Sequence, residues 1–275
     1  MPVGVAPTAQ HHLFHPDAEL APARAAAAAG VPFVASTMSS IRLEEIARAG
    51  GLRWMQLYVQ QDRILTETIM RRAIAAGYEA LVVTVDTPVL GRRERDLRIG
   101  SPRQMYANLG DISAEGETLA DAAKRLIDPR ITWDDIDGLR SMTSLPFVLK
   151  GIMTGADAAL AVAHGAAAVW VSNHGGRQLD RVPATIDVLP EVVDAVAGRA
   201  EVYVDGGVRR GLDVALGLAL GARCVFLGRP ILYALTCDGE RGVAAALRII
   251  EAELANAMAL LGAPRVKDLE RSMVV

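Results

Sequence analysis

The segment VSNHGGRQLD (171–180) combines two side chains that could act on an anionic substrate. His174 directly follows a short apolar run and precedes two glycines, and Arg177 lies three residues further on. A neutral imidazole can accept a proton near pH 7, and a guanidinium can bind a carboxylate through two parallel hydrogen bonds. A lone histidine is as often structural as catalytic, but this spacing favours a base beside an anion clamp. Further arginines lie in LGRRERD (90–96), where charge runs are usually solvated, so we expect only one or two of them to act.

Two glycine-rich turns late in the sequence indicate a phosphate. The segments DGGVRRG (205–211) and LGRP (227–230) place flexible backbone N–H groups beside Arg209 and Arg229. Such groups bind phosphate at the start of many helices. Each turn alone is also explained by turn geometry. As a pair, the two turns predict a ligand that carries a phosphate.

The elements that would position these groups are short apolar strands alternating with Ala-rich helices. Several of the helices end at a glycine, as expected just past a helix C-terminus. The predicted strands are 2–7, 32–36, 53–59, 80–86, 146–151, 168–173, 201–206 and 224–229. The predicted helices include 18–29, 42–49, 63–76, 155–164 and 211–220, with a closing helix over 240–262.

This alternation predicts an α/β fold, and eight units favour a closed (β/α)8 TIM barrel over an open, doubly wound sheet. A doubly wound sheet has its glycine-rich turn after the first strand, whereas here the turns follow the seventh and eighth strands. We expect one domain over 1–275, with a long excursion at about 87–145 that is typical of a lid or binding loop. Functional groups of such barrels gather at the C-terminal ends of the strands, and here every strand ends in a polar or glycine-bearing group.

Composition argues against several classes of protein. Hydrophobic residues make up 51% of the chain and aromatic residues only 4%, which suits parallel strands covered by helices on both faces. The net charge is −3, and no basic patch predicts binding to nucleic acid or to an anionic membrane. No segment has the roughly 18 apolar residues of a spanning helix, and no signal peptide is evident, so we expect a cytoplasmic protein. The two cysteines predict neither a disulfide framework nor a metal site, and Cys224 is expected to be a small core residue.

The chain resembles the FMN-dependent 2-hydroxy-acid oxidases and dehydrogenases. The resemblance runs along the whole sequence, and its most specific part is the combination of VSNHGGRQLD with DGGVRRG. The other matching segments, in order, are APTA, HPDAE, QLYV, TVDTPVLGRR, LKGI and LGRP.

The resemblance implies a role for each matching residue. FMN would be held by Pro7, Thr8, Ala9, Ser36, Gln56, Thr84, Lys150 and Ser172, and its phosphate and ribityl chain by Asp205, Gly206, Gly207, Arg209, Gly228 and Arg229. His174 would be the catalytic base, with Asp86 orienting it and stabilising its protonated form. Arg177 and Arg93 would clamp the substrate carboxylate, and Tyr58 would hydrogen-bond the substrate. The implied reaction is oxidation of a small (S)-2-hydroxy acid to the 2-oxo acid, by a protein that resembles tetrameric relatives and is expected to be a homo-oligomer.

Members of this family carry a further segment before the first barrel strand, including a tyrosine that contacts the substrate carboxylate, whereas this sequence starts at that strand. We therefore expect FMN binding with reduced stability and activity, and the alternative function is an FMN-binding barrel with impaired catalysis. An isomerase that uses reduced flavin on a diphosphate is disfavoured, because it does not explain His174, Arg177 and Arg93 together. The sequence leaves open which acid is oxidised, whether oxygen or another acceptor takes the electrons, and whether carbon or oxygen loses its proton first.

Overall fold

A computed structural model gives the fold and describes residues 1–100, 105–109 and 119–274. All eight predicted strands form, and they close into a parallel barrel in which each strand pairs with its neighbours in sequence order and β8 pairs with β1. The (β/α)8 barrel is thus confirmed. Most strands end about two residues before the predicted end, so that the polar groups lie just beyond them. The strands are β1 (Val3–Val5), β2 (Phe33–Ala35), β3 (Arg53–Leu57), β4 (Ala80–Thr84), β5 (Phe147–Ile152), β6 (Ala168–Val171), β7 (Glu201–Val204) and β8 (Cys224–Leu227).

The predicted helices form within one or two residues of their expected bounds, and further helices occur that the sequence analysis did not name. Helix α10 is interrupted at Asp238 and Gly239, whose backbone angles are not helical, and its second part corresponds to the predicted closing helix. The helices are α1 (Leu20–Ala28), α2 (Leu43–Ala47), α3 (Arg63–Ala75), α4 (Glu94–Ile99), α5 (Leu119–Leu126), α6 (Trp133–Ser141), α7 (Gly155–Ala163), α8 (Thr185–Val196), α9 (Gly211–Ala219) and α10 (Arg229–Leu261).

The long excursion between β4 and β5 contains α4, α5 and α6. Part of this excursion, 101–104 and 110–118, lies outside the described residues. Within the part of the chain that is described, no helix is long and apolar enough to cross a membrane.

Four aromatic side chains pack together in the interior of the barrel. The rings of Trp170 and Phe226 lie 3.9 Å apart, and Trp54 stacks on Tyr203 with 5.5 Å between ring centroids. Gly4 leaves room for this group, because a Cβ at this position would collide with the Phe226 ring. We call Trp54, Trp170, Tyr203 and Phe226 the aromatic plug. Cys224 is buried beside it, as predicted, and burial raises the pKa of its thiol to about 12.

Each strand carries an apolar residue of the barrel interior and, two positions later, one of the residues predicted to bind cofactor. Side chains two apart in a strand point to the same side, so Gln56, Thr84 and Lys150, which lie inside β3, β4 and β5, face the interior roughly 6–7 Å further along, and the other five follow the ends of their strands. The barrel is thus filled by an apolar layer beneath a polar one at its C-terminal end. The eight pairs are Ala6 and Thr8, Val34 and Ser36, Trp54 and Gln56, Val82 and Thr84, Val148 and Lys150, Trp170 and Ser172, Tyr203 and Asp205, and Phe226 and Gly228.

Candidate functional site

A network of buried side chains joins the C-terminal ends of β2, β3 and β4, with Gln56 at its centre. Gln56 Oε1 accepts a hydrogen bond from Ser36 Oγ at 3.2 Å, and its Nε2 donates to Thr84 Oγ1 at 3.1 Å. Thr37 donates its backbone N–H to Gln56 Oε1 and its hydroxyl to the Gln56 carbonyl. None of the four is more than 4% exposed. Among the described residues, the second amide hydrogen of Gln56 and the hydroxyl hydrogen of Thr84 have no acceptor and remain available to a ligand.

A buried ion pair lies beside this network, since Lys150 on β5 pairs with Thr84 on β4. Lys150 Nζ donates to Ser172 Oγ at 2.8 Å and lies 3.4 Å from Asp205 Oδ2, while Ser172 Oγ donates to Asp205 Oδ1 at 2.7 Å. The Lys150 ammonium also lies 5.6 Å from the centre of the Trp170 ring, on top of the plug. Thr185 at the start of α8 donates to the Asp205 carbonyl at 2.5 Å. The positive charge is therefore fixed at the boundary between the apolar and polar layers.

His174 and Asp86 form a hydrogen-bonded pair. His174 Nδ1 lies 3.0 Å from Asp86 Oδ1 and 3.2 Å from Oδ2, so the carboxylate fixes which imidazole nitrogen faces away from it. Burial raises the pKa of Asp86, but the hydrogen bond from His174 and the positive charge of Lys150 outweigh it, and the net pKa is lowered. Asp86 is thus a carboxylate at neutral pH, and it leaves His174 Nε2 as the nitrogen that can accept a proton from a ligand.

The backbone at this pair is unusual in two places. His174 has φ +57°, in the left-handed region that side chains other than glycine rarely adopt, and strain of this kind concentrates at functional sites. Gly151, with φ +108°, lies directly beneath Asp86: a Cβ at this position would come within 2.7 Å of the Asp86 Cβ. The strand register shifts here, between Lys150 and Ile152. Glycine is therefore required at position 151 for Asp86 to reach His174.

Two arginines and a tyrosine surround the pair. Burial and then the positive charge of Arg177 lower the pKa of Arg93, against a smaller opposite effect of Asp96. Arg93 Nε is buried and has no hydrogen-bond partner. Burial raises the pKa of Tyr58, and the charge of Asp86 raises it further, which keeps the phenol protonated. Arg177 also lies 3.8 Å from Asp96 Oδ2. The two guanidinium groups and the unused Arg93 donor are the kind of groups that bind a carboxylate.

The two late glycine-rich turns follow the neighbouring strands β7 and β8. Gly206 and Gly207 both have positive φ, and the space where a Cβ of Gly207 would lie is empty to 4 Å. Arg229, exposed at the start of α10, donates to the Gly175 carbonyl at 2.8 Å. Arg209 is also exposed, and its backbone N–H donates to Asp213 at the start of α9. Open backbone, two cations and two helix N-termini are what a phosphate group requires.

The structure places every residue predicted for the site at the C-terminal end of the barrel, but it does not join all of them by direct contacts. Thr8 Oγ1 bonds to His11 Nε2 at 2.6 Å rather than to another predicted residue, and Pro7 and Ala9 are half-buried beside it. Four contributors to the site were not predicted from the sequence: Thr37, Gly151, Gln178 and Thr185. Only Gly151 has a local signal, since a glycine in a strand indicates an irregularity, but it stands at the end of the predicted strand 146–151 and inside the observed β5. Within the described residues, no cluster of three or more His, Cys, Asp or Glu side chains could hold a metal ion.

Comparison with known proteins gives consistent matches over the whole chain. A family model described as FMN-dependent dehydrogenase matches residues 1–275. L-lactate oxidase of Nostoc sp. is 47% identical over 289 residues, covering 100% of this chain and 79% of that protein. The 2-hydroxyacid oxidase 1 of Mus musculus is 47% identical over 292 residues, with 100% and 78% covered. Among solved structures, mandelate oxidase with (S)-4-hydroxymandelic acid superposes with a TM-score of 0.93 at 45% identity, covering 98% of this chain and 79% of that chain.

Proposed function

Because this chain belongs to the family of FMN-dependent dehydrogenases, we propose that it oxidises a small (S)-2-hydroxy acid to the corresponding 2-oxo acid. The matched relatives are named as oxidases of lactate, glycolate and other 2-hydroxy acids, and a mutant of mandelate oxidase has been solved with (S)-mandelic acid. These names support the substrate class, the (S) configuration and oxygen as the electron acceptor.

The residues at the mouth fit FMN. Gln56 and Thr84 each have a hydrogen available for the heteroatom edge of a flavin ring, and Lys150 holds a positive charge beside them. The empty space at Gly207, flanked by Arg209 and Arg229, suits the phosphate. FMN, when bound, accepts the two electrons that leave the α-carbon of the acid. Lys150 stabilises the negative charge that this adds beside it.

The clamp fixes the acid before it reacts. Arg93 and Arg177 bind the carboxylate, and a guanidinium that does so through two parallel bonds also fixes which face of the α-carbon is presented. The protonated phenol of Tyr58 donates a hydrogen bond to the acid. Prior orientation of this kind lowers the entropic part of the barrier.

The base removes a proton. His174 Nε2 accepts one of the two protons that the oxidation releases, while Asp86 bonds to Nδ1 and favours the imidazolium that results. The observation that carries this proposal is the unpartnered, buried Nε of Arg93 and the nearby charge of Arg177 beside the His174–Asp86 pair. An isomerase acting on a diphosphate has no use for that arrangement.

The proposal is tested by the visible spectrum of the flavin-loaded protein during anaerobic addition of glycolate, lactate and mandelate. We expect one or more of these acids to bleach the flavin. His174→Ala should slow bleaching about 10²–10⁴-fold, because general-base catalysis supplies a factor of that size. Arg177→Lys should instead mainly raise the acid concentration needed for half the maximal rate, since lysine keeps the charge and loses the fork.

Two results would contradict the proposal. A flavin that none of the three acids bleaches would leave an FMN-binding barrel without this activity. A protein that takes up no FMN would remove the cofactor from the site. If His174→Ala bleaches at the wild-type rate, the assignment of His174 as the base is wrong, but the proposed reaction is not contradicted.

A further inference from the structure

The side chain of Gln178 joins the loop that follows β4 to the loop that follows β6. Its Nε2 donates to the backbone carbonyls of Asp86 and Val89, both at 2.8 Å, and its Oε1 accepts from the Gly91 N–H at 3.0 Å. Both amide hydrogens and the amide oxygen are therefore used on the backbone of a single short segment. That segment is 87 to 92 residues away in sequence.

The contact between the two loops is close as well as polar. A Cβ on Gly91 would come within 2.5 Å of the Arg177 carbonyl and 2.6 Å of the Gln178 carbonyl. The backbone of Gly91 thus lies directly on the backbone of the 177–178 peptide. Gly91 does not have a positive φ, so glycine is needed here for space and not for conformation.

This contact lies between the two arginines of the proposed clamp. Arg177 precedes Gln178 directly, and Arg93 follows Gly91 by two residues. Among the described residues, the backbone of 88–92 makes no hydrogen bond other than those to Gln178. A second link between the segments is the ion pair of Arg177 with Asp96 at 3.8 Å, but this pair is exposed, whereas the amide of Gln178 and the space at Gly91 fix the backbone that leads to Arg93.

We propose that Gln178 is a positioning residue that holds Arg93 opposite Arg177 and so sets the affinity for the substrate carboxylate, an inference that rests on the proposed function. Asp86 depends on Gln178 less than Arg93 does. Its side chain is held by His174 and Thr87, and the backbone beside it is paired with β5 through the bond from Val85 N–H to the Lys150 carbonyl. Loss of Gln178 should consequently affect substrate binding more than proton removal.

The test is Gln178→Met, which keeps the length of the side chain and removes all three hydrogen bonds. Rapid-mixing measurement of anaerobic flavin reduction gives both the apparent dissociation constant of the acid and the limiting rate. We expect the constant to rise about tenfold, with the limiting rate changed less than about threefold and the pH profile unchanged, as for loss of uniform binding. Hydrogen exchange of the peptide containing Gly91, measured without substrate, should become faster because that amide loses its acceptor.

Gly91→Ala is a second, independent variant. Its methyl group should separate the loops while the Gln178 side chain stays intact, and it should change the same two constants in the same way. The control is Leu179→Ala, which removes a side chain that is 73% exposed on the same loop and should change neither the constants nor the exchange.

The outcomes separate the two proposals. A wild-type flavin that no 2-hydroxy acid reduces would overturn the proposed function and, with it, the role of Gln178. If the wild-type flavin is reduced but Gln178→Met and Gly91→Ala have the same apparent dissociation constant for the acid as the wild type, only the role of Gln178 is overturned. If the limiting rate of flavin reduction in these variants falls by as large a factor as the affinity for the acid, the role of Gln178 is also overturned, because the effect would then lie on the His174–Asp86 pair.

Discussion

At the scale of single residues, Lys150 and Asp205 are the clearest case of charges that depend on each other. Their side chains are 6% and 10% exposed and lie 3.4 Å apart, with Ser172 bonded to both. Removing one member of a buried pair leaves the other without compensation, whereas removing both restores neutrality. The pair can therefore be tested by comparing single and double substitutions.

We predict that Lys150→Met lowers the free energy of unfolding of the flavin-free protein by about 3–5 kcal/mol, because Asp205 is left charged and buried. Adding Asp205→Asn to this variant should restore a substantial part of the loss. Chemical denaturation of the wild type, both single variants and the double variant gives the coupling directly. A loss in the double variant equal to the sum of the two single losses would show that the two charges do not depend on each other.

Some residues of the site can be predicted from local spacing in the sequence, and others cannot. His174, Arg177, Arg209 and Arg229 lie in segments whose local spacing predicts a base, a clamp and a phosphate site. Gln178 lies in one of the same segments, but its partners are Asp86, Val89 and Gly91, and no local spacing reveals a contact across that distance. The same holds for Thr185 and Asp205, which are 20 residues apart.

At the scale of elements, the end of β5 shows how a strand shapes the site beyond the side chains that it carries. Gly151 combines a φ of +108° with direct contact with Asp86, and the strand register shifts beside it. Its residue type therefore determines where the loop after β4 can lie.

We predict that Gly151→Ala costs about 2–4 kcal/mol of stability, the sum of an unfavourable backbone conformation and a collision with Asp86. It should also slow flavin reduction, since Asp86 must move away from His174. Gly198→Ala is the matched control, because Gly198 also has a positive φ, +72°, but nothing lies within 4 Å of the added Cβ. That control should cost only about 1–2 kcal/mol and leave the reaction rate unchanged. If Gly151→Ala and Gly198→Ala lose the same stability in thermal or chemical denaturation, the collision with Asp86 does not contribute.

The elements themselves were largely predictable, for physical reasons. Buried parallel strands are short apolar runs, and the glycines that end the helices mark their bounds, so all eight strands were found. Helix α8 was not named, since it has no Ala-rich run and contains Pro190. The helices of the 87–145 excursion lie among polar residues, where periodicity gives little contrast with a loop.

At the scale of the whole molecule, the aromatic plug is stabilised by the absence of a side chain on the neighbouring strand. Gly4 pairs with Phe226 across β1 and β8, and an added Cβ would collide with the Phe226 ring. The barrel can hold this ring only because β1 presents Gly4 and Ala6 to the interior.

We predict that Gly4→Ala lowers the free energy of unfolding by about 1–3 kcal/mol through overpacking. Phe226→Leu should recover part of that loss in the double variant, with a coupling energy of about 0.5–3 kcal/mol. Gly138→Ala serves as a control: Gly138 is inside helix α6 with nothing near the added Cβ, and the change should be neutral or stabilising. Additive losses for Gly4→Ala and Phe226→Leu would show that the two positions do not interact.

The aromatic plug also closes the barrel beneath the site, and this determines the order in which small molecules can bind there. Because the packed rings fill the barrel interior beneath the site, under the proposed function the acid, the oxo acid and the electron acceptor would all reach it from the C-terminal end of the strands. The electron acceptor cannot take the place of the acid until the oxo acid has left. We therefore expect ping-pong kinetics: double-reciprocal plots of rate against acid concentration, measured at several fixed acceptor concentrations, should give parallel lines.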